Sequence, residues 1–266
     1  MKRPQHLPDF TKPPLNEVVL GVQFAPVRQY TSVNAWNVWE LFKNDFPKVQ
    51  EQPLLLPQFE TFGGVNLQPG FQLQFGSPPG SRLWFVSALE DHLLQFQPDR
   101  FLINWRKNPS QQPYPRFEGI VEAFEKHLKK LESHFGSDFD HAIEINQAEI
   151  NYNNVVPVNE FSEVGQWFGV WNGNILNIEA LNTSFVEVIK DHSGTPYARL
   201  IHTIQSAYSI DGKHKAFNFS LNFRGKPSGS DVASAMRFLT TGREAIVSRF
   251  KQMTTESAHK HWGIQT

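Results

Sequence analysis

Residues 229–253, GSDVASAMRFLTTGREAIVSRFKQM, carry the hydrophobic pattern from which the fold is predicted. Apolar residues recur here at helical spacings, namely at Val232, Met236, Leu239, Ile246, Phe250 and Met253. Such spacing puts them on one side of an α-helix that lies on a hydrophobic core. Arg243 stands between Leu239 and Ile246, and helical geometry directs its side chain to the same side. A charged group is therefore predicted under the helix.

The same pattern also occurs 115 residues nearer the N-terminus. The earlier positions are Phe117, Val121, Phe124, Leu128, Leu131 and Phe135, and they match Val232, Met236, Leu239, Arg243, Ile246 and Phe250 in order. This correspondence predicts an internal duplication. Arg243 then occupies the position that Leu128 holds in the first copy, so the two copies differ in charge at one buried point.

Segments with strand character precede both long helices. The first half has predicted strands at 17–24, 71–75, 83–86, 93–97 and 101–105 with a helix at 33–46; the second has strands at 142–153, 184–190, 199–209 and 217–223 with a short helix at 160–171. In the last strand, Phe217, Phe219, Leu221 and Phe223 alternate with polar residues. Strict alternation is typical of an antiparallel sheet with one buried and one polar face.

These elements predict an α+β protein made of two tandem βα(β)3-4α units, a pseudo-twofold duplicated structure whose antiparallel sheets are covered by long helices. The first unit is predicted at 15–138 and the second at 139–254. Residues 1–14 contain four prolines and are predicted to be a flexible leader, because proline opposes regular structure. Residues 255–266 are predicted to be a C-terminal tail. The first long helix, roughly 116–135, is expected to end at Gly136.

Composition narrows the possible functions. The 266 residues carry a net charge of −1, with 25 Lys+Arg against 26 Asp+Glu, so no global attraction to nucleic acid or an anionic membrane is expected. Cysteine is absent, which excludes disulfides, zinc–thiolate sites and thiol catalysis. The N-terminus lacks an apolar signal segment, and no apolar run is long enough to span a bilayer. The expected location is the cytoplasm.

Several short motifs resemble an uncharacterised, sporadically distributed bacterial family of about this length. The opening is Pro13-Pro14-Leu15-Asn16-Glu17-Val18-Val19 with Phe24, and the ending is Met253-Thr254-Thr255-Glu256-x-x-His259-x-x-Trp262-Gly263, with Leu239 near Arg243 before it. Between them lie Asn104-Trp105, Tyr114-Pro115 and Glu149-Ile150-x-Tyr152-x-Asn154. The resemblance implies no activity, because that family has none established. Its patchy distribution is compatible with mobile or defence-associated genes.

Recognisable catalytic motifs are missing from the sequence. It contains no GxGxxG loop, Walker motif or GxSxG elbow. Lys190 lies three positions after Glu187, and an odd offset puts the two side chains on opposite faces of a strand. Glu256-x-x-His259 resembles half of a di-iron motif, but no second Glu-x-x-His occurs. We therefore predict no cofactor, no metal site and no catalytic residue.

Arg243 is the strongest candidate for a site residue. A buried guanidinium must be paired, and Glu17 and Glu149 are the partners suggested by the predicted strands. In one interpretation Arg243 faces a cavity and binds an anionic ligand group. In the other it pairs internally, or Thr240-Thr241-Gly242 breaks the helix and Arg243 points outward. The predicted ligand-binding residues are Arg243, Glu17, Glu149, Tyr152 and Trp105.

The leading functional hypothesis is a non-catalytic binding protein. It would recognise a partner protein or a small anionic or amphipathic ligand in the cleft between its two repeats, in a defence or mobile-element context. One alternative is an enzyme, a hydrolase or nuclease, whose site is built from Glu17, Glu149 and Arg243. A second is a nucleic-acid-binding defence component, which the neutral net charge disfavours. No membrane partner is expected, and a homodimer is compatible with the sequence.

Overall fold

A computed structural model describes residues 4–27, 29–63, 81–108, 113–171 and 177–265. The strands are β1 (Asp9–Phe10), β2 (Leu15–Phe24), β3 (Lys48–Gln52), β4 (Arg82–Val86), β5 (His92–Gln97), β6 (Arg100–Arg106), β7 (Ile145–Val158), β8 (Asn182–Lys190), β9 (Pro196–Tyr208), β10 (Lys215–Gly225) and β11 (Ile264–Gln265). The helices are α1 (Ala35–Phe42), α2 (Arg116–Phe139), α3 (Val164–Trp167), α4 (Val232–Met253) and α5 (Glu256–His261). The strand predicted at 71–75 lies outside the described residues.

A large antiparallel sheet organises the described part of the chain. Its strands follow the order β3-β4-β5-β6-β2-β7-β10-β9-β8. The central pair, β2 and β7, is the first strand of each predicted half, and each half continues outward from this pair. The two halves therefore share one continuous sheet. An α+β fold with a helix-covered antiparallel sheet is confirmed.

The helices α2 and α4 cover one face of this sheet, which we call the helix face. Their predicted apolar positions are all buried, namely Phe117, Val121, Phe124, Leu128, Leu131 and Phe135 in α2 and Val232, Met236, Leu239, Ile246 and Phe250 in α4. From the sheet they meet alternate residues such as Phe101, which stacks on Phe124 at 6.0 Å between ring centroids. Phe219 stacks on Phe250 at 5.9 Å. The predicted hydrophobic stripes are confirmed.

Helix α4 runs without a break through Thr240, Thr241 and Gly242. The interpretation in which these residues break the helix is therefore wrong, and Arg243 is buried, with 5% of its surface exposed. Gly242 allows the helix to come this close to the sheet. A Cβ atom at Gly242 would lie 2.6 Å from both Ile150 and Phe223, closer than carbon atoms can pack.

Both chain ends differ from the prediction. The structure places residues 4–14 against the body of the protein, so these residues are not a flexible leader. Asp9–Phe10 pairs with Ile264–Gln265 in a small second sheet, and the Phe10 ring is buried against Phe250, His259 and Trp262. Burial of this aromatic ring outweighs the local preference of the prolines. Two residues of the predicted tail, His259 and Trp262, therefore pack in one aromatic cluster with Phe10.

The end of α2 is also corrected. The helix continues past Gly136 to Phe139, and Asp140 forms the C-cap with a left-handed backbone, φ 49°. Phe139 remains packed on Tyr30, His134 and Phe135, and these contacts extend the helix by one turn. Among the described residues, no helix is long and apolar enough to cross a membrane.

Candidate functional site

A pocket lies on the helix face where the two halves of the chain meet. Its walls come from the start of α2, the second half of α4, the start of β2, the interior of β7, and the N-terminal segment from Pro8 to Pro13. The cavity volume is about 80 Å³, several times the roughly 10–15 Å³ that one water molecule requires. A small ligand therefore has room between the helices and the sheet.

Arg243 supplies the positive charge in this pocket. One terminal nitrogen, Nη2, donates to Oε1 of Glu118 over 3.3 Å, and the guanidinium carbon lies 5.4 Å from the ring centroid of Phe117. The Nε atom of Arg243 is buried and has no hydrogen-bond partner among the described residues. An unsatisfied buried donor costs about 1–3 kcal/mol. The guanidinium therefore keeps one unsatisfied donor, and its ion pair with Glu118 is long.

Two tyrosine hydroxyl groups stand beside the guanidinium. The oxygens of Tyr114 and Tyr152 are 3.3 Å apart. Burial raises the pKa of both phenols, and that of Tyr114 lies well above its usual range. Both hydroxyl groups therefore stay protonated at neutral pH and serve as neutral hydrogen-bonding groups. Trp105 packs on Tyr114 with 4.8 Å between ring centroids, which fixes that ring in place.

The remaining walls are mainly apolar. Leu15, Phe117, Ile246, Val247 and Phe250 line the cavity beside the polar groups. Apolar surface with a few convergent polar groups is typical of small-molecule sites. The pocket therefore combines apolar walls with a few polar groups, among them the guanidinium of Arg243.

The N-terminal segment closes one side of the pocket. The Asp9 carboxylate accepts from the guanidinium of Arg116 at 2.7 Å. Arg116 begins α2 with a positive φ of 67°, which is rare for a residue with a side chain. Backbone strain of this kind is frequent at binding and active sites. The strained start of α2 thus connects the pocket to the chain terminus.

The structure separates the five predicted site residues into two groups. Arg243 and Tyr152 line the pocket, and Trp105 lies behind Tyr114. Glu17 and Glu149 lie on the opposite face of the sheet. Their neighbours in the strands, Val18 and Ile150, face the helices, and adjacent residues of a strand point to opposite faces. The predicted pairing of Arg243 with Glu17 or Glu149 is wrong.

Glu17 instead belongs to a network on that opposite face. Its carboxylate accepts from Nε of Arg106 at 2.8 Å, from Asn104 at 2.8 Å and from Asn153 at 2.9 Å. A β-bulge next to Leu15 sets this orientation, since it places Leu15 and Val18 toward the helices with two residues between them. The sequence pattern of β2 does not reveal the bulge.

Sequence reasoning missed Glu118, the carboxylate that meets Arg243. The residue lies in the first turn of α2, where the helix dipole favours a negative charge. An acidic residue in a first helical turn is too common to identify a site. Its partnership with Arg243 depends on how α2 and α4 pack against each other, and no local pattern encodes that packing.

Residues from several short sequence motifs line this pocket. Pro13, Leu15, Tyr114, Tyr152, Asn154 and Arg243 all line it, although they come from four separate parts of the sequence. Asn154 is buried and donates to the backbone carbonyl of Phe219 at 3.1 Å. The fold brings together residues that the sequence presents only as scattered motifs.

Metal binding has no support within the described ranges. No group of three or more His, Asp or Glu side chains there has the arrangement of a metal site. His259, from the Glu-x-x-His segment, is buried, and its Nε2 lies 2.8 Å from the hydroxyl of Thr254. It packs the C-terminal segment against Phe10. His259 therefore has a structural role.

Comparisons with protein-family models, with curated proteins and with solved structures give no match for this chain.

Proposed function

We propose that this protein is a non-catalytic binding protein that holds a small amphipathic ligand in the pocket between its halves. The observation that carries the proposal is the buried guanidinium of Arg243, which lines a largely apolar cavity and meets Glu118 only through a long contact of 3.3 Å. A carboxylate or carbonyl group of a ligand in this cavity would accept a hydrogen bond from the guanidinium. Charge-assisted hydrogen bonds of this type are strong and directional.

The tyrosines support binding over acid–base catalysis. A general acid or base works best when its pKa lies near the working pH, whereas burial moves the pKa of Tyr114 and Tyr152 further above neutrality. Their hydroxyl groups can donate to a ligand oxygen and stay un-ionised at pH 7. The hydrolase or nuclease alternative also loses its predicted site, because Glu17 and Glu149 lie across the sheet from Arg243.

We also infer that the two halves descend from one duplicated unit. The mirrored order of strands about the β2–β7 pair supports this inference, as does the burial of both Leu128 and Arg243 at corresponding points of α2 and α4. In this view the first copy kept an aliphatic contact and the second acquired a charged group. A binding pocket would then have arisen at the junction through a single change in one copy.

The test compares Arg243→Leu with Arg237→Leu, a control on the exposed side of the same helix. The probes are 3-phenylpropionate and octanoate, each paired with its neutral amide, and binding is followed by ligand-observed NMR and calorimetry. Wild type and Arg237→Leu should bind at least one carboxylate probe. Arg243→Leu should bind it about tenfold or more weakly, because a hydrogen bond to a charged group contributes about 1.5–3 kcal/mol.

Folding of the variants is checked by circular dichroism and thermal unfolding. Arg243→Leu is expected to fold, since leucine occupies the corresponding position in α2. Equal binding by Arg243→Leu and wild type would refute the proposal, and so would the absence of binding of all four probes to wild type.

A further inference from the structure

The face of the sheet opposite the helices is crossed by an extended segment of the chain, residues 55–62, LLPQFETF, which we call the strap. The strap follows β3 and contacts side chains of β5, β6, β2, β10 and β9 in turn. These side chains, Gln97, Arg100, Gln23, Arg224 and Arg199, define what we call the polar face. The strap therefore runs across the strands.

Side chains of the sheet bind the backbone of the strap. The amide of Gln97 accepts from the backbone nitrogen of Leu55 at 3.1 Å and donates to its carbonyl at 2.9 Å. Arg100 donates to the carbonyl of Leu56 at 3.0 Å, and Gln23 accepts from the backbone nitrogen of Gln58 at 2.9 Å. Such contacts recognise an extended backbone and place no demand on its side chains.

One acidic side chain anchors the other end of the strap. The carboxylate of Glu60, only 4% exposed, accepts from Nε of Arg224 at 2.6 Å and also from the guanidinium of Arg199. Arg199 further donates to the carbonyl of Thr61, and its guanidinium carbon lies 4.7 Å from the ring centroid of Phe62. Two arginines on neighbouring strands thus form a specific site for one carboxylate.

The polar face is held in position by its own hydrogen bonds. Arg100 donates to Gln23 at 2.7 Å, and Gln97 donates to Asp99 at 2.6 Å. Gln23, Gln97, Arg100 and Arg199 are all buried. If the strap were absent, these polar groups would need other partners or would remain unsatisfied at a cost. The face is therefore preorganised for an extended chain.

Apolar burial contributes little to holding the strap. Leu56 and Phe59 point away from the sheet, with 41% and 58% of their surface exposed. The strap is therefore held chiefly by main-chain hydrogen bonds and by the Glu60 carboxylate. An extended peptide from another protein can make the same contacts.

We propose that the polar face is a peptide-binding site for an extended partner segment with one glutamate, and that the strap fills it in the free protein. The glutamate of the partner would bind between Arg199 and Arg224, and its backbone would replace Leu55–Gln58 on Gln97, Arg100 and Gln23. Because the strap is tethered, its high effective concentration disfavours exchange until a partner is abundant or binds more tightly.

The test uses a fluorescein-labelled peptide with the sequence of residues 53–63 and a matched peptide with glutamine in place of glutamate, both measured by fluorescence anisotropy. Glu60→Gln weakens the strap without touching the face. This variant should bind the glutamate peptide about tenfold or more tightly than wild type does. Glu51→Gln, on the exposed edge strand β3, is the matched control and should behave as wild type. Adding Arg199→Gln and Arg224→Gln to Glu60→Gln should abolish binding.

Equal affinity of Glu60→Gln and wild type for the glutamate peptide would overturn the proposal, as would equal binding of the glutamine peptide. If Glu60→Gln does not fold, wild type decides the question by hydrogen exchange. Excess glutamate peptide should then accelerate exchange at the backbone amides of Leu55 and Gln58, which the strap donates to the face. Unchanged exchange at saturating peptide would equally overturn the proposal.

Discussion

At the residue scale, the ion pair between Arg243 and Glu118 controls the charge of the pocket. The pair is held by one contact of 3.3 Å, and the Glu118 side chain keeps 15% of its surface exposed. A ligand carboxylate would compete with Glu118 for the same guanidinium, whereas a neutral ligand would not. A substitution of Glu118 should therefore change the affinity for a carboxylate ligand and leave the affinity for a neutral ligand unchanged.

We predict that Glu118→Gln increases the affinity for a carboxylate ligand, because it removes a competing negative charge and leaves Arg243 fully available. The expected change is about three- to tenfold, corresponding to roughly 1 kcal/mol for a partly exposed pair. Calorimetry with 3-phenylpropionate and its amide measures it. Glu122→Gln, one helical turn further along α2 on an exposed position, is the control. Weaker carboxylate binding by Glu118→Gln would show that Glu118 itself holds the ligand.

A second residue-scale prediction concerns His127, which lies in α2 with its ring against Phe42 and Phe46 at 5.6 and 5.4 Å between centroids. Burial lowers its pKa from 6.5 to about 4. The unfolded chain takes up a proton on His127 near pH 6.5, whereas the folded protein does so only near pH 4. The free energy of unfolding is therefore highest above pH 6.5 and decreases as the pH falls toward 4. Between pH 7 and pH 5 the loss is about 2 kcal/mol.

His127→Gln should therefore lose about 2 kcal/mol less of its free energy of unfolding between pH 7 and pH 5 than wild type. Urea titrations at a series of pH values measure the difference. His214→Gln, which alters an exposed histidine, is the control variant. Parallel curves for His127→Gln and wild type would show that His127 does not remain neutral in the folded state.

At the element scale, the close approach of α4 to β7 and β10 depends on Gly242. Gly136 in α2 has no such close contact, because a Cβ atom there would meet nothing within 4 Å. The two glycines thus separate the packing effect of a methyl group from its effect on helix propensity. Alanine favours a helix over glycine by about 1 kcal/mol in either place.

We predict that Gly242→Ala destabilises the protein by about 1–2 kcal/mol, because strain from overpacking typically costs about 1–3 kcal/mol and exceeds the gain in helix propensity. Gly136→Ala should instead stabilise the protein by about 0.5–1 kcal/mol. Chemical denaturation compares the two variants with wild type. Stabilisation by Gly242→Ala would mean that α4 can move away from the sheet at little cost.

At the scale of the whole molecule, the chain termini complete the pocket. Phe10 contacts Phe250 at 5.5 Å and His259 at 5.8 Å between ring centroids. The backbone nitrogens of Thr11 and Lys12 donate to the carbonyls of Gly263 and Trp262, each at 3.0 Å. Segments near both ends of the described chain therefore support one wall of the pocket together.

Phe10→Ala should release residues 8–13 while the sheet stays folded, because chain ends open locally when their anchor is lost. Hydrogen exchange at Thr11 and Lys12 should accelerate, exchange within β7 and β10 should remain unchanged, and ligand binding should weaken. Phe59→Ala removes an exposed ring and serves as the control. Unchanged exchange at Thr11 and Lys12 in Phe10→Ala would show that the strand pairing alone holds the wall.

Local sequence patterns determined the main elements and their buried sides. The spacing of apolar residues predicted α2 and α4, and alternation predicted strands such as β10, because helix and strand periods are properties of the backbone itself. The same spacing predicted that Leu128 and Arg243 are buried, and both are. These features need no knowledge of what packs against them.

The tertiary structure alone decided which residues meet. The pairing of Arg243 with Glu118, the packing of Phe10 against the C-terminal segment and the crossing of the polar face by the strap all join residues far apart in the sequence. The bulge beside Leu15 turned Glu17 away from the pocket. Such contacts depend on the arrangement of whole elements, and a local pattern records only which side of an element is buried.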